Sequence, residues 1–280
     1  MTENLKLAEN GIWYASEKAD ISYPTQGNDD CFEIEDKSFW FQHRNACIVE
    51  LVKRFPPPGN GPIFDVGGGN GFVAKGLMDA GWDVVLVEPG QAGARNAMVR
   101  GVQQVVCATT HAAGFGEGSM PGIGVFDVVE HIEDDEGFMR HLHDLLEPGG
   151  MLYLTVPAYR LLWSDADDYG GHFRRYSKRG LKALCEVAGF DVQFLTGIFV
   201  WLIAPILLFR SLPYRLMGKS KENIADVNAT MTDHTMPEWL ERSTRRCHEW
   251  ERRRILNGNG VSLGASLLLA AKRSSSGAGV

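Results

Sequence analysis

Two groups of residues have types and spacings that can do chemistry. The first is Asp65-Val66-Gly67-Gly68-Gly69-Asn70-Gly71, followed by Glu88 at the end of the next apolar run. Glycines in such a turn leave no Cβ between the backbone and a ligand, and at a helix start they present free N–H groups to it. The spacing is G-x-G-x-G. A dinucleotide fingerprint, G-x-G-x-x-G, would need its third glycine where Phe72 stands, so a dinucleotide ligand is disfavoured. A carboxylate at Glu88 can accept hydrogen bonds from both hydroxyls of a ribose, which points to an adenosine ligand without a 2′-phosphate. The second group is His131 and His172. Imidazole is the side chain that exchanges protons near neutrality, so each is a candidate general base. His172 lies in Gly170-Gly171-His172-Phe173-Arg174-Arg175-Tyr176, a stretch dense in hydrogen-bond donors. His131 could equally serve to order its own loop.

These residues must be positioned by an alternation of strands and helices. Residues 62–66, the glycine turn, a helix over about 71–80 and a strand over 83–88 make a βαβ unit, which requires parallel pairing and a right-handed crossover. Further strands are predicted at 103–107, 123–127, 151–156, 191–195 and 265–272, with helices at about 90–100, 134–146 and 178–188. Ser177 and Gly189 are the expected caps of the last of these. Before the glycine turn, Phe39, Trp40, Cys47, Ile48, Leu51 and Val52 recur at helical spacing until Pro56-Pro57-Pro58 stops them. Residues 1–36 have no clear periodicity, and Gly27-Asn28-Asp29-Asp30 breaks any element there. The fold expected is α/β, a doubly wound, mostly parallel sheet of seven strands with an N-terminal helical cap and a helical insertion before the last strand. The corresponding divisions are 1–60 for the arm and cap, 61–196 for the α/β core, 197–258 for the insertion, and 259–280 for the final strand and a Ser/Gly tail at 274–279. His131 and His172 then fall on loops at the carboxyl edge of the sheet, where such folds bind ligands.

Composition excludes several functions. A net charge of −7 without a dense Lys/Arg block argues against a nucleic-acid partner, which needs clustered cations. Five widely spaced cysteines with no C-x-x-C pair fit reduced thiols, and an N-terminus with acids and no apolar run fits a cytoplasmic protein. Residues 197–217 are strongly apolar, but Pro205 and Arg210 interrupt them, so a bilayer span is not expected. They read instead as a buried insertion, a lid, a homodimer surface or a peripheral membrane contact. Residues 218–236 are polar and are expected to be mobile, and 237–256 form a charged helix rich in Arg.

The loop, the acid at Glu88, the segment Phe126-Asp127-Val128-Val129-Glu130-His131 and the turn Leu146-Glu147-Pro148-Gly149-Gly150 together resemble the class I S-adenosylmethionine-dependent methyltransferases. The resemblance covers about residues 38–195 and resumes at 259–273. It implies S-adenosylmethionine as cofactor and S-adenosylhomocysteine as product, with Asp65, Gly67 and Gly69 at the methionine part, Glu88 at the ribose and Phe126 near the sulfonium. Arg44 is placed like an N-terminal Arg that pairs with the cofactor carboxylate, with Trp40 beside it. Where many members have an acid for the adenine, this chain has Ala108-Thr109-Thr110-His111. Asp127, Glu130, His131 and His172 resemble the metal-ligating segment of O-methyltransferases of the ubiquinone-biosynthesis and small-RNA types, Asp127 replacing the usual Glu. That pattern implies a divalent cation as an alternative to simple base catalysis. The acceptor implied is an oxygen of a small molecule, a glycan or a lipid-linked metabolite, with a nitrogen or carbon acceptor, or a non-catalytic S-adenosylmethionine-binding protein, as the alternatives. Val156-Pro157-Ala158-Tyr159, Trp163 and Asp165 to Asp168 are expected to line its pocket.

Overall fold

The computed structural model describes residues 2–16, 31–217 and 238–274. The break expected at Gly27–Asp30, the mobile stretch at 218–236 and most of the Ser/Gly tail lie outside the described residues.

Runs that are apolar throughout, such as Val84-Val85-Leu86-Val87, are buried on both faces and must sit in the middle of a covered sheet. The strands are β1 (Leu5–Leu7), β2 (Trp13–Ala15), β3 (Ile63–Val66), β4 (Val84–Val87), β5 (Val105–Cys107), β6 (Met120–Phe126), β7 (Leu146–Pro157), β8 (Phe190–Ile198) and β9 (Ser266–Arg273). They form one sheet in the order β1-β2-β5-β4-β3-β6-β7-β9-β8. From β5 to β7 the pairings are parallel, while β9 runs antiparallel between β7 and β8. In β9 the alternation is visible residue by residue: Leu267, Leu269 and Ala271 enter one core, Leu268 and Ala270 the other.

Among the described residues nine strands replace the seven expected. The two extra ones lie in the N-terminal region read as lacking regular structure. β1 and β2 form a short hairpin through Gly11 at φ 81°, and β2 extends the sheet by pairing in parallel with β5, Trp13 opposite Val106. Three-residue strands are too short for periodicity to register, and the pairing partner lies far along the chain.

The helices are α1 (Phe39–Arg54), α2 (Phe72–Asp79), α3 (Gln91–Val99), α4 (Thr110–Ala113), α5 (Asp135–Leu145), α6 (Asp165–Gly170) and α7 (Lys178–Val187). After β8 the chain continues as Ile203–Ile206, a π-helical Leu207–Ser211 and Leu212–Met217, together α8, and later as α9 (Glu238–Leu256). Ser177 caps α7 by accepting from the Gly180 N–H at 3.0 Å. α9 packs on α1 through His43 to Glu251 at 2.7 Å and Arg252 to Glu50 at 2.8 Å. Among the described residues no helix is long and apolar enough to cross a membrane.

Leu268 is fully buried, so Leu268→Ala should cost about 2–5 kcal/mol in urea unfolding. Leu263→Ala, at an exposed position just before β9, should change stability by less than about 0.5 kcal/mol.

Candidate functional site

The chain winds from β3 outward to β5 and then restarts on the other side of β3 with β6, so the order reverses between β3 and β6. Ligands bind doubly wound sheets in the crevice at that reversal. Both strands end there in left-handed backbone, Gly67 at φ 72° and Asp127 at φ 56°. A Cβ at Gly67 would stand 2.6 Å from Val128 Cγ2. Glycine at 67 is thus required both by its φ and by the strand end beside it.

Asp65, the penultimate residue of β3, is buried, with Oδ2 lacking a hydrogen-bond partner among the described residues. Burial, reinforced by Glu88 and only partly offset by Arg44, pushes its carboxyl up to about 7. Glu88 leaves β4 and is held by two backbone donors: Gly69 N–H to Oε2 at 2.9 Å and Gly90 N–H to Oε1 at 2.6 Å. Burial raises this carboxyl too, and the two amides oppose the rise. The acid predicted for the ribose is therefore part of the glycine loop's own scaffold, with lone pairs to spare.

On the β6 side, Val129–His131 form a 3₁₀ turn. The Phe173 N–H donates to the Glu130 carbonyl at 2.8 Å, which clips the 170–176 loop to this turn and sets His131 and His172 with ring centroids 4.7 Å apart, nearly perpendicular. Glu130, His131 and His172 each offer a ligand atom within 4.8 Å of the others. Glu130 is buried with Oε2 unpartnered among the described residues; burial and the nearby Asp127 hold its carboxyl well above the usual range. Behind His172, Asp167 Oδ1 lies 2.9 Å from Nδ1, and Arg175 grips the same carboxylate through Nε at 2.6 Å and Nη2 at 3.0 Å. Burial would raise Asp167, but the hydrogen bonds from His172 and Arg175 and the guanidinium charge hold it below the ordinary carboxylate range.

A model of the methyltransferase domain matches residues 40–194, more than half of the chain. The chain belongs to this methyltransferase family. A Mycolicibacterium smegmatis protein named as an S-adenosylmethionine-dependent methyltransferase is 23% identical over 174 residues, which cover 59% of this chain and 65% of that protein. Of the solved structures, a Haloferax volcanii methyltransferase in complex with a methyltransferase activator superposes with a TM-score of 0.55 at 15% identity, covering 89% of this chain and 94% of that one. Phosphoethanolamine N-methyltransferase 2 from Haemonchus contortus, in complex with S-adenosyl-L-methionine, gives 0.56 at 16% identity over 94% of this chain and 62% of that one. At such identities these structures establish the fold.

Within this fold the predicted residues divide. Asp65, Gly67, Gly69 and Glu88 are gathered in one loop cluster, and Phe126 is buried at the end of β6. Glu130, His131 and His172 are gathered in another. Asp127 stands outside the second cluster, which corrects the four-residue metal set: its carboxylate pairs with Arg44 and accepts from Thr155 Oγ1 at 3.0 Å. Arg44, expected on a cofactor carboxylate, is paired within the protein and lies over the Trp40 ring, 4.7 Å from its centroid. Trp40 also stacks on Phe199 at 5.5 Å. Trp163 donates to Asp168 Oδ1 at 3.2 Å, and the Tyr159 hydroxyl reaches the Ser262 carbonyl at 3.4 Å.

Three positioning groups escaped the sequence reading. Asp167 stood there only as an acid lining the pocket; the pattern Ser164-x-x-Asp167, which forms the capping box of α6, was the available signal for its burial. Glu35 and Arg100, 2.7 Å apart, tie residues 31–36 to the loop through Asn70 Nδ2 at 3.3 Å, with Glu35 pushed up to about 7 by burial. Glu251 accepts from the Phe199 and Val200 N–H groups at 2.9 and 2.8 Å. No local pattern announces contacts across such separations.

Burial, and then the neighbouring His172, lowers His131 from 6.5 to about 4. The folded protein thus resists a proton that the unfolded chain accepts, and the stability this represents is full above pH 6.5 and is lost as pH falls toward 4. Melting curves in a chelating buffer should show wild type losing stability over that window, and His131→Gln losing less of it.

Proposed function

We propose that this methyltransferase moves the methyl group of S-adenosylmethionine to an oxygen of a small molecule, a glycan or a lipid-linked metabolite, with His172 as general base. The observation that carries this reading is the pairing of His172 Nδ1 with the buried Asp167 at 2.9 Å. That contact fixes the tautomer and leaves Nε2 as the basic atom at the carboxyl edge of the sheet. A hydroxyl acceptor must lose a proton as it attacks, and an oriented imidazole is the group suited to take it. The cofactor supplies an already activated methyl group.

The residues that would hold the cofactor fit an adenosine-bearing ligand. Gly67 and Gly69 turn with positive φ and without Cβ. Glu88, fixed by the Gly69 and Gly90 amides, would take the ribose hydroxyls, and Asp65 would support the loop at the methionine part. Phe126 would lie near the sulfonium, with Trp40 and Arg44 closing the N-terminal side. His131, lowered to about 4, is neutral at pH 7 and would accept a hydrogen bond from the acceptor.

His172→Ala should reduce turnover by about 10²–10⁴-fold while S-adenosylhomocysteine affinity in calorimetry stays unchanged. Glu88→Ala should do the reverse first, weakening that affinity by about 10–100-fold. Unchanged turnover in His172→Ala would remove the base assignment.

A second reading has its own support. Glu130, His131 and His172 converge within 4.8 Å, and the Glu130 Oε2 is buried and unpartnered, a donor set of oxygen and imidazole nitrogens suited to a divalent cation. Such an ion would polarise the acceptor hydroxyl, and Asp167 would orient His172 as a ligand. On this reading EDTA should abolish turnover, Mg²⁺ or Mn²⁺ should restore it, and Glu130→Gln should raise the metal concentration required. Turnover indifferent to EDTA selects the metal-free reading.

A further inference from the structure

α8 packs Ile203, Ile206 and Leu207 against the core but also turns large apolar side chains to water. A helix on a soluble protein turns its apolar stripe inward, yet here Phe209 is 78% and Leu216 83% exposed, with Leu208 at 54% and Leu212 beside them, while Ser211 is buried. Leu161, 53% exposed, continues the patch from the adjoining 3₁₀ turn Arg160–Leu162. The two are fastened together by Arg215, whose Nη2 donates to the Arg160 and Leu161 carbonyls at 3.2 and 3.0 Å.

The segment's own charges are of one sign, and the acid that meets it, Asp168, is engaged by the Tyr214 hydroxyl and the Trp163 N–H. Residues 197–217 contain no Asp or Glu, and their charged groups are Arg210 and Arg215, with Arg160 alongside, in a chain whose net charge is −7. Exposed large apolar side chains flanked by guanidinium groups match the acyl boundary and the anionic headgroups of a lipid surface together. A second copy fits less well, because a two-fold contact lays the same patch on itself and brings like charges together. A water-soluble anionic ligand would leave the leucines unaccounted for. No described helix can span a bilayer, so the element lies in the interface rather than through it.

We infer that α8 and Leu161 form a docking face for an anionic lipid bilayer. The docking is independent of the proposed reaction, but it has a consequence for it. The Tyr214 hydroxyl of α8 donates to Asp168 Oδ2 at 2.8 Å, and Asp168 adjoins the Asp167 that holds His172. The lipid-seated helix is thereby bolted to the short helix α6 that sets the histidine.

The test is co-sedimentation of the full chain with vesicles of phosphatidylcholine mixed with phosphatidylglycerol, and with phosphatidylcholine alone. We expect binding to the mixed vesicles, weakened by added salt, and at least about tenfold weaker in Phe209→Gln/Leu216→Gln, with an unchanged melting temperature because both side chains are exposed. Val99→Gln, at a position 75% exposed on α3, should bind like wild type. Failure of wild type to bind the mixed vesicles, equal binding to phosphatidylcholine alone, or an equal loss in Val99→Gln would overturn the inference. So would light scattering that shows a lipid-free dimer split by the double substitution. None of these outcomes touches the His172 assay, so the docking and the reaction fail separately.

Discussion

The crowding of two strand ends sets the geometry of everything at the carboxyl edge. β3 and β6 are hydrogen-bonded neighbours, Asp65 opposite Gly124, yet the chain leaves them in different directions. Both exits turn through left-handed backbone, and Val128 occupies the space a side chain at residue 67 would need. A positive φ at a residue other than glycine is costly and persists only where its surroundings over-determine it. At Asp127 they do so through Arg44 and Thr155, which fix the carboxylate from two sides. The glycine loop and the turn bearing His131 are therefore held side by side by the sheet itself.

A second constraint is electrostatic. The site region holds several buried carboxylates, and each that is ionised must be matched. Asp167 is matched by Arg175 and His172, Glu251 by His43 and two amides, Glu88 by two amides. Asp65 and Glu130 are the incompletely matched ones, each with an oxygen lacking a hydrogen-bond partner among the described residues, and both sit against the crevice at the strand-order reversal. The unmatched groups belong to β3 and to the turn that follows β6, whereas Asp167 and Glu251 are satisfied within the protein.

Much of this was legible in the sequence because it is local. The strand at 62–66, the glycine spacing and the acid at Glu88 fall within one βαβ unit, and the helices at Phe72–Asp79, Gln91–Val99, Asp135–Leu145 and Lys178–Val187 lie within about two residues of their expected limits. His131 and His172 follow β6 and β7 in the chain, so strand order alone puts both beyond the carboxyl ends of those strands. What was not legible depends on distance along the chain. Arg44 reaching Asp127, Glu251 capping Phe199 and the β2–β5 pairing each join segments that no periodicity connects. The exposed stripe of α8 was ambiguous for a related reason: apolar spacing gives the width of a face but not whether protein or solvent lies against it.

The N-terminal hairpin carries a consequence beyond the strand count. Without it, β5 would end the sheet as a fully buried apolar run, Val105-Val106-Cys107, with one row of amides and carbonyls open to any passing chain. β2 satisfies that row, and among the described residues β1 leaves as the new border only Leu5-Lys6-Leu7, three residues carrying a lysine. A border so short gives an approaching strand little to template on. These first residues therefore act as a selvedge, sealing the sheet's margin far from the crevice.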